Sequence, residues 1–198
     1  MTKGMETRGR ILDTAFRLAA REGLDGLSIS SLAGELGMSK SGLFAHFRSK
    51  EELQLEMLRT ASQAFIDQVM TPAFRQPRGL PRLKAFFDHW MRWATDPGLP
   101  GGCIFVAAAA ELDDREGPVR AYVVSQQEGL LAATARATRL CIDEGHFRKD
   151  LDADQFAFEF LAIYLAFHHA YRLLRDPRAE KRARRAFARL IQDAAVRD

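Results

Sequence analysis

Residues 28–53 read SISSLAGELGMSKSGLFAHFRSKEEL, and this stretch decides the fold. Ser28 stands as a helix cap before Ile29, Leu32, Ala33 and Leu36, which recur at i, i+3, i+4 and i+7 and predict a short helix with one apolar face. Gly37 follows, a residue for which left-handed backbone is cheap and at which a helix stops. Ser39 caps a second short helix that reaches His46. Within it Leu43 and Phe47 are placed to point inward, while Lys40, Ser41, Gly42, Ala45 and His46 are small or polar. A helix, a tight glycine turn and a second helix with that division of side chains is the outline of a DNA-reading helix-turn-helix.

Working outward, helical periodicity continues in both directions. A first helix is expected from Thr7 to Glu22, striped by Ile11, Leu12, Ala15, Phe16 and Ala19, with Gly23 and Gly26 bracketing its end. Ser49 followed by Glu52 reads as a capping box for a helix from Lys50 to Met70, which Pro72 and Pro77 bring to an end. A helix from Leu80 to Ala94 carries Leu83, Phe86, Phe87, Trp90 and Met91 on one face, and the Pro- and Gly-rich stretch Asp96–Gly102 is a loop. Cys103 to Leu112 predicts a short alanine-rich helix buried all round. Pro118 suits the first turn of a long helix that stops near Gly145. Two further helices are expected, Asp152 to Leu174 and Pro177 to Val196. With almost no alternating apolar pattern, the chain reads as all-α with about nine helices. A three-helix unit of roughly 48 residues is marginal alone. The expected organisation is therefore a helix-turn-helix DNA-binding domain, 1–48, packed on the Lys50–Met70 helix. That helix opens a ligand-binding and dimerisation domain, 49–198.

Composition narrows the class without naming the function. The 198 residues are 47% apolar and 28% charged, an ordinary globular balance rather than a disordered one. The net charge is only +3, and residues 1–55 hold eight Lys/Arg against seven Asp/Glu, so DNA binding here rests on a few placed contacts rather than a broad basic surface. Two cysteines, Cys103 and Cys141, make neither a metal spacing nor a disulfide framework and fit a reducing cytoplasm. No apolar signal segment opens the chain. Its most apolar run, Phe156 to Phe167, is interrupted by Glu159 and is short of the ~20 residues that span a bilayer. No membrane partner is expected.

Three strings together resemble the tetracycline-repressor (TetR/AcrR) family of bacterial transcriptional regulators: Gly37-Met38-Ser39 at the turn, Leu43-Phe44-Ala45-His46-Phe47 in the second helix, and Lys50-Glu51-Glu52-Leu53 after it. A helix-turn-helix outline alone is common, and the Leu-aromatic-x-His-Phe-x-x-Lys-Glu-x-Leu string is far more specific. The close match covers roughly residues 7–58; the remainder fits in length and helical character. The resemblance implies a DNA-contact set. Ser28 and Ser39 cap the two helices, and Ser28 is expected also to touch a phosphate. Lys40, Ser41 and Ala45 are the base-edge candidates, since Lys donates to guanine, Ser to several bases and Ala meets a thymine methyl. Gly42 allows close approach to the duplex. His46 and Lys50 are the phosphate contacts, Lys50 lying at a helix start, where backbone N–H groups attract anions. Phe44 departs from the family: Tyr is usual there, and its phenol binds a phosphate. The ring is kept and one hydrogen bond is lost.

The last two helices present too much apolar surface for one neighbour. Phe156, Phe160, Ile163, Phe167 and Tyr171 make one stripe, with Phe158, Leu161, Leu165 and Leu174 on other faces; Ala183, Phe187, Leu190 and Ile191 line the final helix. Such a pair suits a homodimer built as a four-helix bundle, as the resemblance implies, with an intrachain core as the alternative. The arginine-rich run Arg172–Arg189 is read as a solvated face rather than a nucleic-acid site. Phe86, Phe87, Trp90, Trp93, Cys103, Phe105, Tyr122, Gln126 and His168 are candidates to line a cavity for a small hydrophobic effector, or to be plain core. The adjacent pair His168-His169 faces about 100° apart on a helix and is not arranged to chelate one metal. No catalytic residue, metal site or cofactor is nominated, and an enzyme is not expected. The reading is a ligand-responsive repressor that binds a palindromic operator in double-stranded DNA as a homodimer. The alternative is a helical small-molecule-binding or adaptor protein whose DNA-binding role is lost.

Overall fold

The structure is a computed structural model that describes residues 3–99 and 101–196; Pro100, inside the expected Asp96–Gly102 loop, lies outside them. The described residues fold into helices α1 (Lys3–Gly26), α2 (Ile29–Leu36), α3 (Lys40–Phe44), α4 (Lys50–Phe65), α5 (Thr71–Phe74), α6 (Leu80–Thr95), α7 (Ile104–Leu112), α8 (Pro118–Asp143), α9 (Ala153–Arg172) and α10 (Ala179–Ala194). A π-helical turn, Ile66–Met70, joins α4 to α5. Taking Lys50–Phe74 as one continuous run leaves nine helices among the described residues, with a single isolated bridge, Phe147 to Ala195, and no strand. The expected all-α class holds. The chain divides into two compact units, Met1–Ala64 with Pro97–Gln126, and Phe65–Asp96 with Gln127–Asp198.

In the first unit, a continuous core joins Ile11, Ala15 and Leu18 of α1, Leu32 of α2, Leu43 of α3, Leu53, Met57 and Leu58 of α4, Ile104, Ala108 and Leu112 of α7, and Val119 and Val123 at the start of α8. The α7 stripe has a spacing of four, so only one face of that helix is covered. Ala107 and Ala110 are exposed, which corrects the expectation of a helix buried all round; alanine has too little apolar surface to demand cover. The backbone of α1 leaves the helix at Gly23 (φ 79°, ψ 169°), as the two glycines predicted. Gly101 has φ +85°, and a Cβ there would stand 2.5 Å from the Ala20 carbonyl oxygen, so the loop before α7 lies directly on α1.

Two helix ends differ from the sequence reading for local reasons. Ser49 Oγ accepts from Glu52 N at 3.0 Å, but the Glu52 carboxylate accepts from Arg48 N, at 2.8 Å, rather than from Ser49 N, so half of the expected capping box is reciprocated one residue earlier. Pro72 does not end the fourth helix. A proline ring collides with the carbonyl four residues back and offers it no N–H; here the π turn widens the helix just before it, and the freed Gln68 carbonyl is taken by the His89 side chain. The helix then continues to Phe74.

The second unit is built on aromatic packing. Phe86 stacks on Trp90 (5.5 Å between centroids), Trp90 on Tyr164 (3.8 Å), and Phe87 on Phe187 (4.0 Å), with Phe160 reaching Phe86, Phe87 and Trp90. Helix α9 is capped by Asp152, whose carboxylate accepts from Asp154 N and Gln155 N. It ends at Arg172, two residues earlier than expected, where Leu173 and Leu174 both return to the His169 carbonyl.

Candidate functional site

The helix-turn-helix is fixed by its caps. Ser28 is extended (φ −109°, ψ 149°), and its Oγ accepts from Ser31 N at 3.0 Å while Ser31 Oγ accepts from Ser28 N, a reciprocal box. Gly37 takes the left-handed conformation (φ 62°, ψ 30°), and Met38 N closes back on the Ala33 carbonyl at 2.9 Å. Ser39 Oγ accepts from Gly42 N at 3.0 Å. A Cβ on Gly42 would approach that same Oγ to 3.2 Å, so part of the reason for glycine at this position is room for the cap. Regular helix in α3 ends at Phe44, shorter than expected, but i→i−4 bonds continue: Ala45 N donates to Ser41 O and Phe47 N to Leu43 O.

This geometry divides the side chains. Leu43 and Phe47 are fully buried, anchoring the helix. Lys40, Ser41, Ala45 and Ser28 are exposed, Gly42, His46 and Lys50 half-buried, and Phe44 is 46% exposed. Ser41 Oγ lies 3.1 Å from Ser39 Oγ. The Lys50 ammonium donates to the Asp25 carbonyl at 2.6 Å, so it is held at the C-terminal end of α1.

Three positioning groups escaped the sequence reading. Arg8 lies 4.2 Å over the Phe47 ring, donates to the His46 carbonyl at 2.6 Å and pairs with Glu56, which ties the end of α3 to α1 and α4. The Gln54 amide donates to the buried Leu24 carbonyl at 2.8 Å. Asp25 is the third. Its carboxylate accepts from Arg115, its N–H donates to Glu111, and the Arg115 hydrogen bond holds its carboxyl below the usual range. None of the three has a local sequence signal, because each partner lies 30 to 90 positions away along the chain.

The remaining candidates separate. Phe86, Phe87, Trp90, Trp93 and His168 belong to the second unit; Cys103, Phe105, Tyr122 and Gln126 belong to the first. In the first unit Tyr122 OH donates to Ser62 Oγ, which in turn donates to Gln126 Oε1, each at 3.0 Å. In the second, Phe65 packs edge-on against both Trp90 (6.0 Å) and Trp93 (5.6 Å), and Tyr164 lies 6.2 Å from His168. Phe87 turns the other way, toward Phe187. Cys141 is buried, and burial pushes its thiol up to about 12.

Of the residues expected at a subunit interface, Phe156, Phe160, Phe167, Ala183, Phe187 and Leu190 are covered within their own chain, at 9% exposure or less. Ile163 and Ile191 are half-buried, and Tyr171 is 37% exposed. The uncovered face of α9 instead carries Phe158 (63%) and Leu165 (42%), with Leu173 and Leu174 beyond its end at 70% and 62%. Among the described residues no helix is long and apolar enough to cross a membrane, and no group of three or more His, Cys, Asp or Glu is placed to hold a metal.

Comparison with known proteins converges on one class. Residues 11–57 match the family model described as "Bacterial regulatory proteins, tetR family", and residues 79–187 match "Tetracyclin repressor-like, C-terminal domain". The HTH-type transcriptional repressor NemR of Escherichia coli is 25% identical over 134 residues, 67% of each chain. A TetR transcriptional regulator from Chloroflexus aurantiacus superposes with a TM-score of 0.85 at 27% identity, covering 97% of this chain and 96% of its own. AibR, solved with isovaleryl coenzyme A and operator DNA, shares the fold (TM-score 0.77, 24% identity, 93% and 97% covered). With family models over both halves and a capped helix-turn-helix at residues 28–47, the chain belongs to the tetracycline-repressor family and is a DNA-binding transcriptional regulator.

Proposed function

We propose that this regulator is a ligand-responsive repressor that binds a palindromic operator as a homodimer, each subunit placing α3 in a major groove. The observation that carries the reading is the division of α3: Leu43 and Phe47 fully buried, Lys40, Ser41 and Ala45 exposed on a helix whose start is capped by Ser39. Two such helices fit half-sites about one helical turn apart, ~34–36 Å. Dimerisation is supported by the uncovered Phe158 and Leu165 on α9 together with Leu173 and Leu174, since apolar side chains left open this way are placed for a second copy.

Small-molecule control is supported by the aromatic cluster on α6 and α9 and by the helix that leads to it. Helix α4 starts at Lys50 and ends at Phe65, a member of that cluster. An effector that moves Phe65 tilts α4 and changes the spacing of the two reading helices. By linkage, effector and operator then weaken each other by the same factor. Repression follows from occlusion of a promoter. The test is Lys40→Ala with Lys50→Ala, read by operator binding, beside Phe158→Glu, read by sedimentation. The double variant is expected to lose operator binding while remaining folded, and Phe158→Glu to shift the protein to half its mass; unchanged operator affinity in the double variant would remove the assigned contacts.

A further inference from the structure

Two buried hydrogen-bond donors on α6 lack an acceptor. Trp90 and Trp93 are 2% and 5% exposed, and neither indole Nε1–H has a hydrogen-bond partner. Spaced by three, they lie on one side of the helix. Their neighbours are rings: Phe65 edge-on to both, Phe86 and Tyr164 stacked on Trp90, Phe160 beside it. A buried donor left unpaired forfeits its full hydration, so two such donors on one turn are a standing demand for acceptors.

The charge around the cluster limits what else fits. Phe65, Phe86 and Phe160, packed on the indoles, bear no charge, so an anionic or cationic head seated among them keeps its desolvation cost. His168, near Tyr164, has a buried Nε2 without a partner. Burial, with Arg172 and His169 nearby, holds its imidazole below the usual range.

Resting on the effector reading above, we propose that the effector is an uncharged, largely apolar molecule carrying carbonyl- or ether-type oxygens, and that the Trp90 and Trp93 indole N–H groups donate to those oxygens. Phe65, the ring these indoles share, is the last residue of α4 and precedes the π turn. A ligand seated against the indoles therefore acts on the end of the helix that begins at Lys50.

The chain has two tryptophans, so a 15N-labelled full-length sample shows two indole N–H cross-peaks, and they report on this site alone. The probes are benzophenone and diphenylmethane, which share a body and differ in one carbonyl. Benzophenone is expected to bind roughly three- to tenfold more tightly than diphenylmethane, the range for one added hydrogen bond, and to move at least one indole proton downfield. Trp90→Phe and Trp93→Phe keep a ring at each position, so in the responding variant the preference for the ketone is expected to disappear while diphenylmethane affinity is kept. Equal binding of the two probes, or ketone binding without an indole shift, overturns the donor role. Absence of binding by either probe overturns the proposal as a whole; a palindromic operator still recovered by the same protein then shows that the DNA-reading assignment survives it.

Discussion

The Lys50 ammonium donates to the Asp25 backbone carbonyl at 2.6 Å, which joins the first residue of α4 to the C-terminal end of α1. The hydrogen bond is exposed, so it adds little stability. It does place the cation beside the first turn of α4, whose unpaired N–H groups favour an anion. Lys50→Ala is therefore expected to leave the melting temperature within a degree or two, yet to lower operator affinity. It should also reduce the slope of log affinity against log salt by about 0.9 for each phosphate that the variant no longer neutralises. Fluorescence anisotropy across a salt series measures both. An unchanged slope would mean that Lys50 meets no phosphate.

Phe44 is 46% exposed on the outer side of α3. Restoring the hydroxyl usual in the family, by Phe44→Tyr, adds one donor to a surface ring. Operator binding is expected to tighten by ~0.5–1.5 kcal/mol, with thermal stability unchanged. Weaker binding would indicate that the ring itself packs on the duplex.

Gly101 and Gly34 make opposite predictions from the same substitution. At Gly101 the backbone is left-handed (φ +85°) and a Cβ meets the Ala20 carbonyl oxygen at 2.5 Å, whereas a Cβ at Gly34, inside α2, meets nothing within 4 Å. Gly101→Ala is expected to destabilise by about 2–4 kcal/mol, combining strain with a backbone collision. Gly34→Ala is expected to stabilise by about 0.5–1 kcal/mol, the helix propensity difference. Denaturant unfolding of the two variants side by side checks the pair.

Asp25 ties stability to acid. Its hydrogen bond to Arg115 lowers the carboxyl pKa in the folded chain. A group depressed in this way contributes stability at pH values above its unfolded value of about 3.9 and loses it as the pH falls through the folded value. Melting curves of the parent and of Asp25→Asn are therefore expected to differ at neutral pH and to converge below the carboxylate range. Curves that stay parallel down to that range would show that Arg115 contributes nothing through Asp25.

How far the sequence carried the reading follows from the range of each interaction. Caps and turns were legible because their partners lie within five residues: Ser28 with Ser31, Ser39 with Gly42, Gly37 with Ala33. The stripe on α6 was legible for the same reason of period. The packing of α7 and the start of α8 into the core of the DNA-reading unit was not, since Ile104 and Leu112 meet α1 across some 90 positions with no local trace. Nor was the inner face of α9. Phe156 and Phe160 and the outward Phe158 are equally apolar, and only Phe86, Phe87 and Phe187 packing against Phe160 decides which face turns inward. The π turn at Ile66–Met70 was hidden because Pro72 reads as a stop, whereas His89, seventeen residues on, rescues the carbonyl that proline strands.

The most direct test of the central claim is selection of bound fragments from random duplex DNA by the full chain, at two salt concentrations. The account predicts a recovered palindrome with half-sites about one helical turn apart that survives the higher salt. Sequence-indifferent fragments lost with a modest rise in salt would mean phosphate attraction alone, and would contradict the assignment of α3 as a reading helix.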